Sequence, residues 1–267
     1  MLFRSPVPRE GWPLARGPEA HRVRFTAQCT PFRHLGFFPD MTPVWDWMAE
    51  VLSSSPPGEG LGWGLSHERN DAFVEQTPPP APPLKGRGAS TLNLFGYTGV
   101  GTLALSEHGP VTHVDASKKS VAQARENAVL SGMADRPVRW IIDDAAKFTA
   151  REVRRGRRYD GIILDPPKFG RGPEGEIWRL EDHLAPLAAN CRALLDENSR
   201  FLFLTVYAVR MSSLALAGLL AEHFADLPGV IEHGDLAVRE EALRQAQDER
   251  SGGRLLPTAI FARWRNG

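Results

Sequence analysis

The alternation of apolar strands and helices after residue 90 is the feature that most constrains this chain. Five short aliphatic runs are each followed by a segment with helical periodicity. Such alternation requires crossover connections and a parallel sheet that is covered on both faces. The pattern predicts strands over residues 91–95, 111–115, 138–142, 159–164 and 201–206. It predicts helices over residues 100–106, 117–131, 145–155, 180–195 and 212–224.

The two ends of the chain depart from this alternation. The last predicted strands, 230–238 and 258–264, follow each other without a crossover helix, so they should form an antiparallel pair at the sheet edge. This ending separates the pattern from an ordinary dinucleotide-binding fold. At the other end, residues 22–26 indicate a strand or hairpin, and residues 43–52 indicate a helix that leads into the sheet domain.

Glycine and proline are unevenly distributed along the chain. Of 25 glycines and 22 prolines, thirteen lie between residues 53 and 88, a stretch that cannot build regular ladders or bury much apolar surface. We therefore predict an N-terminal extension (1–52), a disordered insertion (53–88) and one α/β domain (89–267). A second, charged insertion is predicted within that domain at 240–254.

Charge and cysteine content exclude several classes of protein. Lys+Arg and Asp+Glu are 32 each, which excludes a strongly basic nucleic-acid coat protein but not a local basic face. Cys29 and Cys191 are too few for a disulfide framework or a four-cysteine zinc site, and the histidines show no metal-ligand spacing. The N-terminus lacks the apolar core of a signal peptide. We therefore expect a cytoplasmic protein without a metal or a membrane-spanning segment.

The residues directly after each strand are the informative ones, because parallel sheets bind ligands at the carboxyl ends of their strands. The first strand leads into residues 95–101, whose glycines let the backbone approach a ligand and free N–H groups at the helix start. This turn lacks the G-x-G-x-x-G order and could also be a plain strand-to-helix turn. Asp115 ends the second strand, 19 residues after Gly96, where a carboxylate can accept hydrogen bonds from ribose hydroxyls.

Carboxylates also follow the third and fourth predicted strands. Asp144 could accept a hydrogen bond from an adenine amino group, or it could cap the next helix. The fourth strand ends at Asp165-Pro166-Pro167-Lys168-Phe169, the most specific motif of the chain. Two prolines halt the ladder and stiffen the backbone, so they would hold the Asp165 carboxylate at the mouth of the crevice. A planar amine held there could be aimed at an electrophile.

Together, these motifs resemble those of class I S-adenosylmethionine-dependent methyltransferases, and within them the bacterial 23S ribosomal RNA base methyltransferases. The resemblance covers about residues 90–267, and residues 36–39 show a weaker similarity. It implies a Rossmann-like α/β fold, a seven-stranded mostly parallel sheet with an antiparallel final strand pair, and S-adenosylmethionine as the cofactor. It rests on the segments 93–99, 114–115, 124–127, 143–144 and 163–169.

The resemblance also implies roles for individual residues. Residues 93–99 would line the methionine part of the cofactor, Asp115 would bind the ribose and Asp144 the adenine. Residues 33–39 would fold over the cofactor from the N-terminal side, and residues 165–168 would face the methyl acceptor. The implied catalytic residues are Asp165, Pro166, Pro167 and Lys168. The implied cofactor-binding residues are Asn93, Phe95, Gly96, Tyr97, Thr98, Gly99, Asp115, Ala116, Asn127, Asp144, Ala145 and Asp165.

The chain departs from the relatives that make 5-methylcytosine. Those relatives activate the base with a cysteine that follows the fifth strand in a Ser-Cys-Ser sequence, where this chain has residues 205–208 without a cysteine. Cys191 falls inside a predicted helix and is interpreted as a buried structural thiol. We therefore predict methyl transfer without a cysteine nucleophile, in which Asp165 orients a nitrogen acceptor and helps remove its proton. Lys168 could pair with a phosphate or a carboxylate on the substrate.

Basic residues crowd the predicted helix 145–155 and the loops beside the site. A phosphate-binding face for ribosomal RNA has this composition, although a solvated helix end has it too. Trp178 could stack on a base or pack as a lid residue. The residues assigned to the RNA face are Lys147, Arg151, Arg154, Arg155, Arg157, Arg158 and Arg171.

The sequence thus favours an S-adenosylmethionine-dependent enzyme that methylates a base of ribosomal RNA. One alternative is methylation of a protein or a small molecule, which gains weight if the basic helix points away from the crevice. A second is a nicotinamide-dependent oxidoreductase, against which the Asp-Pro-Pro motif and the antiparallel ending count. A third is a non-catalytic relative that binds RNA.

Overall fold

The computed structural model describes residues 11–17, 19, 22–27, 36–54, 88–239 and 255–266. The predicted insertion at 240–254 and nearly all of the one at 53–88 lie outside these residues, as does Cys29. Within the described ranges, every helix is too short or too polar to cross a membrane.

Strands and helices alternate along the described chain in the order that the sequence predicts. The strands are β1 (Trp12–Arg16), β2 (Val23–Ala27), β3 (Thr91–Leu94), β4 (Val111–Asp115), β5 (Val138–Ile142), β6 (Gly161–Leu164), β7 (Phe169–Arg171), β8 (Ile177–Arg179), β9 (Phe201–Tyr207), β10 (Val230–Arg239) and β11 (Leu255–Arg265). The helices are α1 (Thr42–Ser53), α2 (Val100–Leu105), α3 (Lys118–Leu130), α4 (Ala145–Arg154), α5 (Leu180–Ala193) and α6 (Ser213–His223). Where an element was predicted, its bounds differ by three residues or fewer.

The central sheet has seven strands in the order β10-β11-β9-β6-β3-β4-β5. β3 pairs in parallel with β4 on one side and with β6 on the other, and β11 runs antiparallel to both β9 and β10. The predicted α/β class, the seven-stranded mostly parallel sheet and the antiparallel final pair are therefore confirmed. The switch in strand order lies at β3, where ligands bind in sheets of this kind.

Helices cover both faces of this sheet. One core packs α1, α2 and α3 against the sheet around Met48, Leu103 and Phe203, and the other packs α4, α5 and α6 around Phe148 and Leu220. All four residues of β6 are buried, as are the first six of β9. Double coverage explains why these strands are apolar on both sides rather than alternating.

The N-terminal elements dock on the same domain. β1 and β2 form the predicted hairpin, and β2 packs against α3. Just before β9, the Arg200 guanidinium donates to the carbonyl oxygens of Val51, Leu52 and Ser54 over 3.3, 2.7 and 2.9 Å. These bonds satisfy carbonyls that the end of α1 leaves without helical partners, so they fix α1 to the sheet.

The β7–β8 hairpin was not predicted from the sequence. β7 and β8 form a short antiparallel hairpin after the Asp165 motif, with Phe169 opposite Arg179 and Arg171 opposite Ile177. Three-residue strands are too short to show a period of two, so hydrophobic patterning could not reveal them.

A set of buried polar side chains lies beneath the carboxyl end of β3. The Asn93 amide donates to the Thr102 hydroxyl over 2.8 Å, and that hydroxyl lies 2.8 Å from Nδ1 of His113 on β4. His113 is fully buried, and its Nε2 has no hydrogen-bond partner among the described residues. Burial lowers the pKa of His113 to about 3, because an imidazolium there would be stripped of water.

We predict that His113 makes the fold less stable in acid. The unfolded chain binds a proton at this residue near pH 6.5 and the folded chain only near pH 3. The neutral imidazole therefore costs no stability above pH 6.5, and the free energy of unfolding decreases as pH falls below that value. Urea denaturation at pH 7.5 and pH 5 measures how much unfolding free energy each protein loses in acid. This loss should be about 2 kcal/mol smaller in His113→Phe than in the wild type. The exposed residue His233 provides the control: His233→Phe should keep the wild-type difference. An unchanged difference in His113→Phe would contradict the assignment.

Candidate active site

A cavity of about 410 Å³ opens at the carboxyl ends of the parallel strands, within the size range of small-molecule sites. A smaller cavity of about 40 Å³ adjoins it under residues 37–41, and Phe95, Tyr97 and Asp165 line both. The sequence-predicted residues on the larger cavity also include Asp115, Ala116, Asp144, Ala145, Pro166, Pro167, Lys168 and Arg171. Those on the smaller one also include Asn93, Gly96, Thr98 and Gly99.

The turn between β3 and α2 has an unusual backbone. Phe95 and Tyr97 adopt left-handed conformations with φ of 58° and 48°, and Gly99 has φ of 77°. Left-handed conformations at residues with side chains cost energy and persist where the surroundings hold them, often at functional sites. A Cβ at Gly96 would come within 2.4 Å of the His113 imidazole, so only glycine lets the turn lie this close to β4.

Two side-chain hydrogen bonds fix this turn to α3 and to the N-terminal segment. The Asn127 amide of α3 donates to the Thr98 carbonyl over 2.9 Å, and the Thr98 hydroxyl donates to the Gly36 carbonyl over 2.7 Å. Asn127 is 1% exposed and lines neither cavity. The structure therefore does not place Asn127 with the other predicted cofactor residues, because its amide is turned toward the loop backbone.

Asp115 lies at the end of β4, inside the larger cavity. One carboxylate oxygen accepts the Tyr97 N–H over 2.9 Å, and the other accepts the Ser117 N–H over 2.8 Å. Burial raises the pKa of Asp115, although these two backbone bonds oppose the shift. Each oxygen keeps a lone pair for a ligand hydroxyl, so the carboxylate has the acceptors that a ribose would need.

The next strand end supplies Asp143 and Asp144. The Asp144 carboxylate accepts the Lys147 N–H over 2.9 Å and so caps α4, while Asp143 forms an ion pair with Arg151. Asp144 and Ala145 remain on the cavity wall, where the Asp144 oxygen that does not serve the cap can still accept a hydrogen bond. The predicted adenine role of Asp144 is thus compatible with the cap.

The β7–β8 hairpin forms one wall of the larger cavity. Lys147 of α4 pairs with Glu174 and Glu176, which ties the hairpin to the helix. Trp178 is 4% exposed, and its indole N–H donates to the Pro167 carbonyl over 2.6 Å while its ring packs against Phe95. Trp178 therefore packs as a lid residue and is not free to stack on a base.

Asp165 follows β6 at the junction of the two cavities. It accepts a hydrogen bond from the Thr205 hydroxyl of β9. Burial raises the pKa of Asp165 to about 7, the nearby Asp40 carboxylate adds to the increase, and the Thr205 bond opposes it. A carboxylate with this pKa can accept a proton near neutral pH. Pro166, Pro167 and Lys168 continue along the same wall.

Residues 36–41 cover both cavities from the N-terminal side. The Phe38 ring lies between Tyr97 and Tyr207, with ring centroids 5.9 and 5.2 Å apart. Asp40 is 5% exposed and accepts a hydrogen bond from the Thr258 hydroxyl. The expected covering role of residues 33–39 stays a prediction for residues 33–35, which lie outside the described ranges.

Sequence reasoning missed Asp40 and Tyr207. Tyr207 ends β9 on the cavity wall, so the rule of inspecting each strand end could have found it. Asp40 carries no comparable signal, since it lies in a single helical turn before α1 and reaches Asp165 only through tertiary packing.

The structure separates the seven predicted basic residues. Lys147 lies in the first turn of α4 and Arg151 in its last turn, both in the ion pairs described above, and Arg171 lines the cavity. α4 begins at the cavity wall with Ala145 and ends at Arg154, nine residues or about 13 Å further along the helix axis. The other four basic residues are exposed and lie at the far end of α4 and directly after it: Arg154, Arg155, Arg157 and Arg158. These four residues line neither cavity, and their assignment to an RNA face stays a prediction.

Neither a metal site nor a cysteine nucleophile is found among the described residues. No group of three or more His, Cys, Asp or Glu side chains there could hold a metal ion. Cys191 is fully buried in α5, and burial raises the pKa of its thiol to about 12, which keeps it protonated. The interpretation of Cys191 as a buried structural residue is confirmed.

Comparisons with known proteins agree with this geometry. A crystal structure of an S-adenosylmethionine-dependent methyltransferase from Agrobacterium tumefaciens matches 100% of this chain and 73% of its own, with 36% identity and a TM-score of 0.79. A methyltransferase structure complexed with SAH (S-adenosylhomocysteine) matches with a TM-score of 0.61 at 17% identity, over 96% of this chain and 56% of its own, and so supports the fold alone.

Similar curated proteins carry ribosomal RNA methyltransferase names. The ribosomal RNA large subunit methyltransferase I of Shewanella amazonensis is 31% identical over 172 residues, 62% of this chain and 40% of its own length. Methyltransferase K/L of Methylococcus capsulatus is 32% identical over 60% of this chain and 21% of its own length. This chain thus spans less than half of these relatives, and no protein-family model matches it. The identity and coverage shared with the Agrobacterium structure show that the chain belongs to the S-adenosylmethionine-dependent methyltransferases.

Proposed function

We propose that the protein transfers a methyl group from S-adenosylmethionine to a base of ribosomal RNA without a cysteine nucleophile. The position of Asp165, at the junction of two cavities that between them hold nearly all predicted cofactor residues, is the observation that carries the proposal. The names of the curated relatives support RNA as the acceptor. Such an enzyme would work in the cytoplasm.

Some residues of the site would bind the cofactor, and others would bind the methyl acceptor. Asp115 would bind the ribose hydroxyls, Asp144 would bind the adenine, and the turn after β3 would hold the methionine part. The cofactor supplies a methyl group on a positively charged sulfur. Asp165 would orient the acceptor nitrogen and take its proton, since the nitrogen uses its own lone pair for the new bond. Lys168 and Arg171 have no ion-pair partner in the described chain and would face phosphates of the substrate.

A small-molecule or protein acceptor is the second candidate. The observation that favours it is the position of Arg154–Arg158, which the length of α4 separates from the cavity. In the part of the chain that the structure describes, the cations on the cavity wall are then Lys168 and Arg171. Membership in the methyltransferase family argues against the oxidoreductase alternative.

We predict that Asp115 is required for cofactor binding. Asp115→Asn keeps the size of the side chain but removes the charge, so affinity for S-adenosylhomocysteine should fall about tenfold or more. Isothermal titration calorimetry measures this. Asp135→Asn removes an exposed carboxylate elsewhere on the domain and should bind like the wild type. Wild-type protein that binds no S-adenosylhomocysteine would refute the assignment of this cavity.

Methyl transfer to RNA tests the proposed substrate. The protein, with S-adenosylmethionine carrying a labelled methyl group, is incubated with undermodified ribosomal RNA, and the digested nucleosides are separated by mass spectrometry. We expect label on a base. Parallel incubations with protein and small-molecule fractions of a cell extract identify any other acceptor, and label confined to those fractions would reject the RNA proposal.

We predict that activity rises with pH through an inflection at pH 7 or lower, because only ionised Asp165 can accept the acceptor proton and the cationic methyl donor lowers its pKa from about 7. Asp40 and Tyr207 are the titratable groups beside it. The others on the wall of the larger cavity are Tyr97, Asp115, Asp143, Asp144, Lys168 and Arg171. Thr205→Val removes the bond that opposes the increase in the pKa of Asp165, so the inflection should move to higher pH.

Single-turnover rates between pH 5.5 and 9 measure this shift. Thr149 offers a matched control, because it is equally buried but bonds to helix carbonyls of α4. Thr149→Val should leave the inflection where it is. A pH-independent rate in the wild type would show that Asp165 takes no proton.

A further inference from the structure

The outer face of the β7–β8 hairpin adjoins the cavity and carries side chains that the proposed mechanism does not use. Side chains along a strand alternate between the two faces of a ribbon. Trp178, in the middle of β8, points inward and is buried against the domain. The two cross-strand pairs on either side of it therefore point outward, and their residues are exposed: Phe169 with Arg179, and Arg171 with Ile177.

Two large apolar side chains are exposed to water on this hairpin face. Phe169 is 57% exposed and Ile177 is 52% exposed. The two are diagonal neighbours across the ribbon, a separation that an aromatic side chain can span. Apolar side chains that are exposed side by side indicate a binding surface more often than single ones do.

The hairpin that presents this face is held firmly in place. The Gly172 N–H donates to the Glu176 carbonyl over 2.9 Å and closes the turn, and the Leu180 N–H donates to the Lys168 carbonyl over 3.0 Å at the base. The ion pairs of Lys147 and the buried Trp178 ring fix the hairpin to the domain. A surface that is already ordered loses little conformational entropy when a partner binds to it.

The charges on this face favour an anionic partner. Within the described ranges, Arg171 and Arg179 form no ion pair, because the hairpin carboxylates of Glu174 and Glu176 pair with Lys147 instead. Glu181 and Asp182 follow Arg179 in the first turn of α5 without forming an ion pair with it: both guanidinium groups can therefore bind phosphates. Arg171 also lines the larger cavity, so the hairpin face is continuous with the proposed acceptor site.

We propose that the hairpin face binds the single-stranded RNA next to the methylated base. Phe169 stacks on a base, Ile177 extends this apolar surface, and the two arginines bind phosphates. Phe169 lines neither cavity, so the base that it contacts is a neighbour of the methylated one. A double helix would offer phosphates to the arginines but no base face to the ring. The inference rests on the proposed function and identifies where the same site binds its RNA.

Filter binding of labelled, undermodified ribosomal RNA tests the aromatic contact. Phe169→Ala should weaken RNA binding about tenfold or more, because it removes the stacking ring. Phe169→Leu keeps an apolar side chain without a ring and should bind as weakly as Phe169→Ala, whereas Phe169→Trp should keep the wild-type affinity. Val129 provides the control, since it is exposed in the last turn of α3, and Val129→Ala should bind like the wild type.

The salt dependence of binding tests the phosphate contact. Arg179→Ala should reduce the slope of log affinity against log salt concentration by about 0.7, as expected for one lost phosphate on a single strand. Arg136 provides the matched control, because it precedes β5 and so lies at the edge of the sheet opposite the cavity. Arg136→Ala should keep the wild-type slope.

Methyl transfer separates docking from catalysis. In Phe169→Ala and Arg179→Ala, the KM for RNA should rise while kcat and the affinity for S-adenosylhomocysteine change less than about twofold. A fall in kcat at unchanged KM would place these side chains in the chemical step and overturn the inference. Both substitutions are at exposed positions, so the melting temperature should stay that of the wild type.

The two proposals fail in different ways. If RNA carries no label, the proposed function fails, while the binding measurements still test the hairpin face. If RNA is labelled but either Phe169→Ala or Arg179→Ala binds it like its control, the proposed function stands and this inference is overturned. Wild-type protein that binds no RNA also overturns the inference.

Two further results would assign the hairpin face to another partner. Wild-type affinity in Phe169→Leu would show that an apolar contact suffices, as in a protein interface, and would overturn the stacking role. Sedimentation analysis detects a second copy of the chain: a dimer that Phe169→Ala converts to a monomer would show that the face is a subunit interface, which also overturns the inference.

Discussion

The contact between Gly96 and His113 sets the shape of the site. With no side chain at Gly96, the turn after β3 lies directly on the imidazole of the neighbouring strand, where a Cβ would come within 2.4 Å. That closeness lets the Tyr97 N–H reach the Asp115 carboxylate at the end of β4. A larger residue would lift the turn away from β4 and break this bond. The glycine therefore joins two strand ends into one wall, and His113 must stay neutral because the same contact keeps water from it.

The sheet alone does not complete this site. Gly36 accepts the Thr98 hydroxyl, Phe38 packs against Tyr97 and Tyr207, and Asp40 is held by Thr258 of β11. These contacts tie one short segment to β9 and β11 and to the turn after β3. Because Tyr97 lies beside Asp115 and Tyr207 beside Asp165, Phe38 connects the part of the cavity that we propose for the cofactor to the part that we propose for the acceptor.

The sequence predicted the sheet, its antiparallel ending and the strand ends that carry Asp115 and Asp165, because apolar runs and stop signals are local. It could not place Asp40, which reaches Asp165 only after α1 has docked on the sheet. Nor could it show that Arg154, which it assigned to the RNA face, ends α4 and lines neither cavity, since sequence separation says nothing about the direction of that helix. Asn127 was assigned to the cofactor by resemblance, but in the structure its amide donates to the Thr98 carbonyl in the turn after β3.

The electrostatics of Asp165 agree with a nitrogen acceptor. A carbon acceptor needs a covalent nucleophile to activate it, and no cysteine of the described chain lines either cavity. A nitrogen acceptor needs only a base that takes its proton. While a cationic methyl donor occupies the cavity, its positive charge would lower the pKa of Asp165 and favour the carboxylate. Transfer of the methyl group removes that charge from the donor and places it on the nitrogen. The proton on that cationic nitrogen is acidic, so the adjacent Asp165 carboxylate can take it. Once the nitrogen is neutral no cation remains beside Asp165, and its pKa would return toward 7.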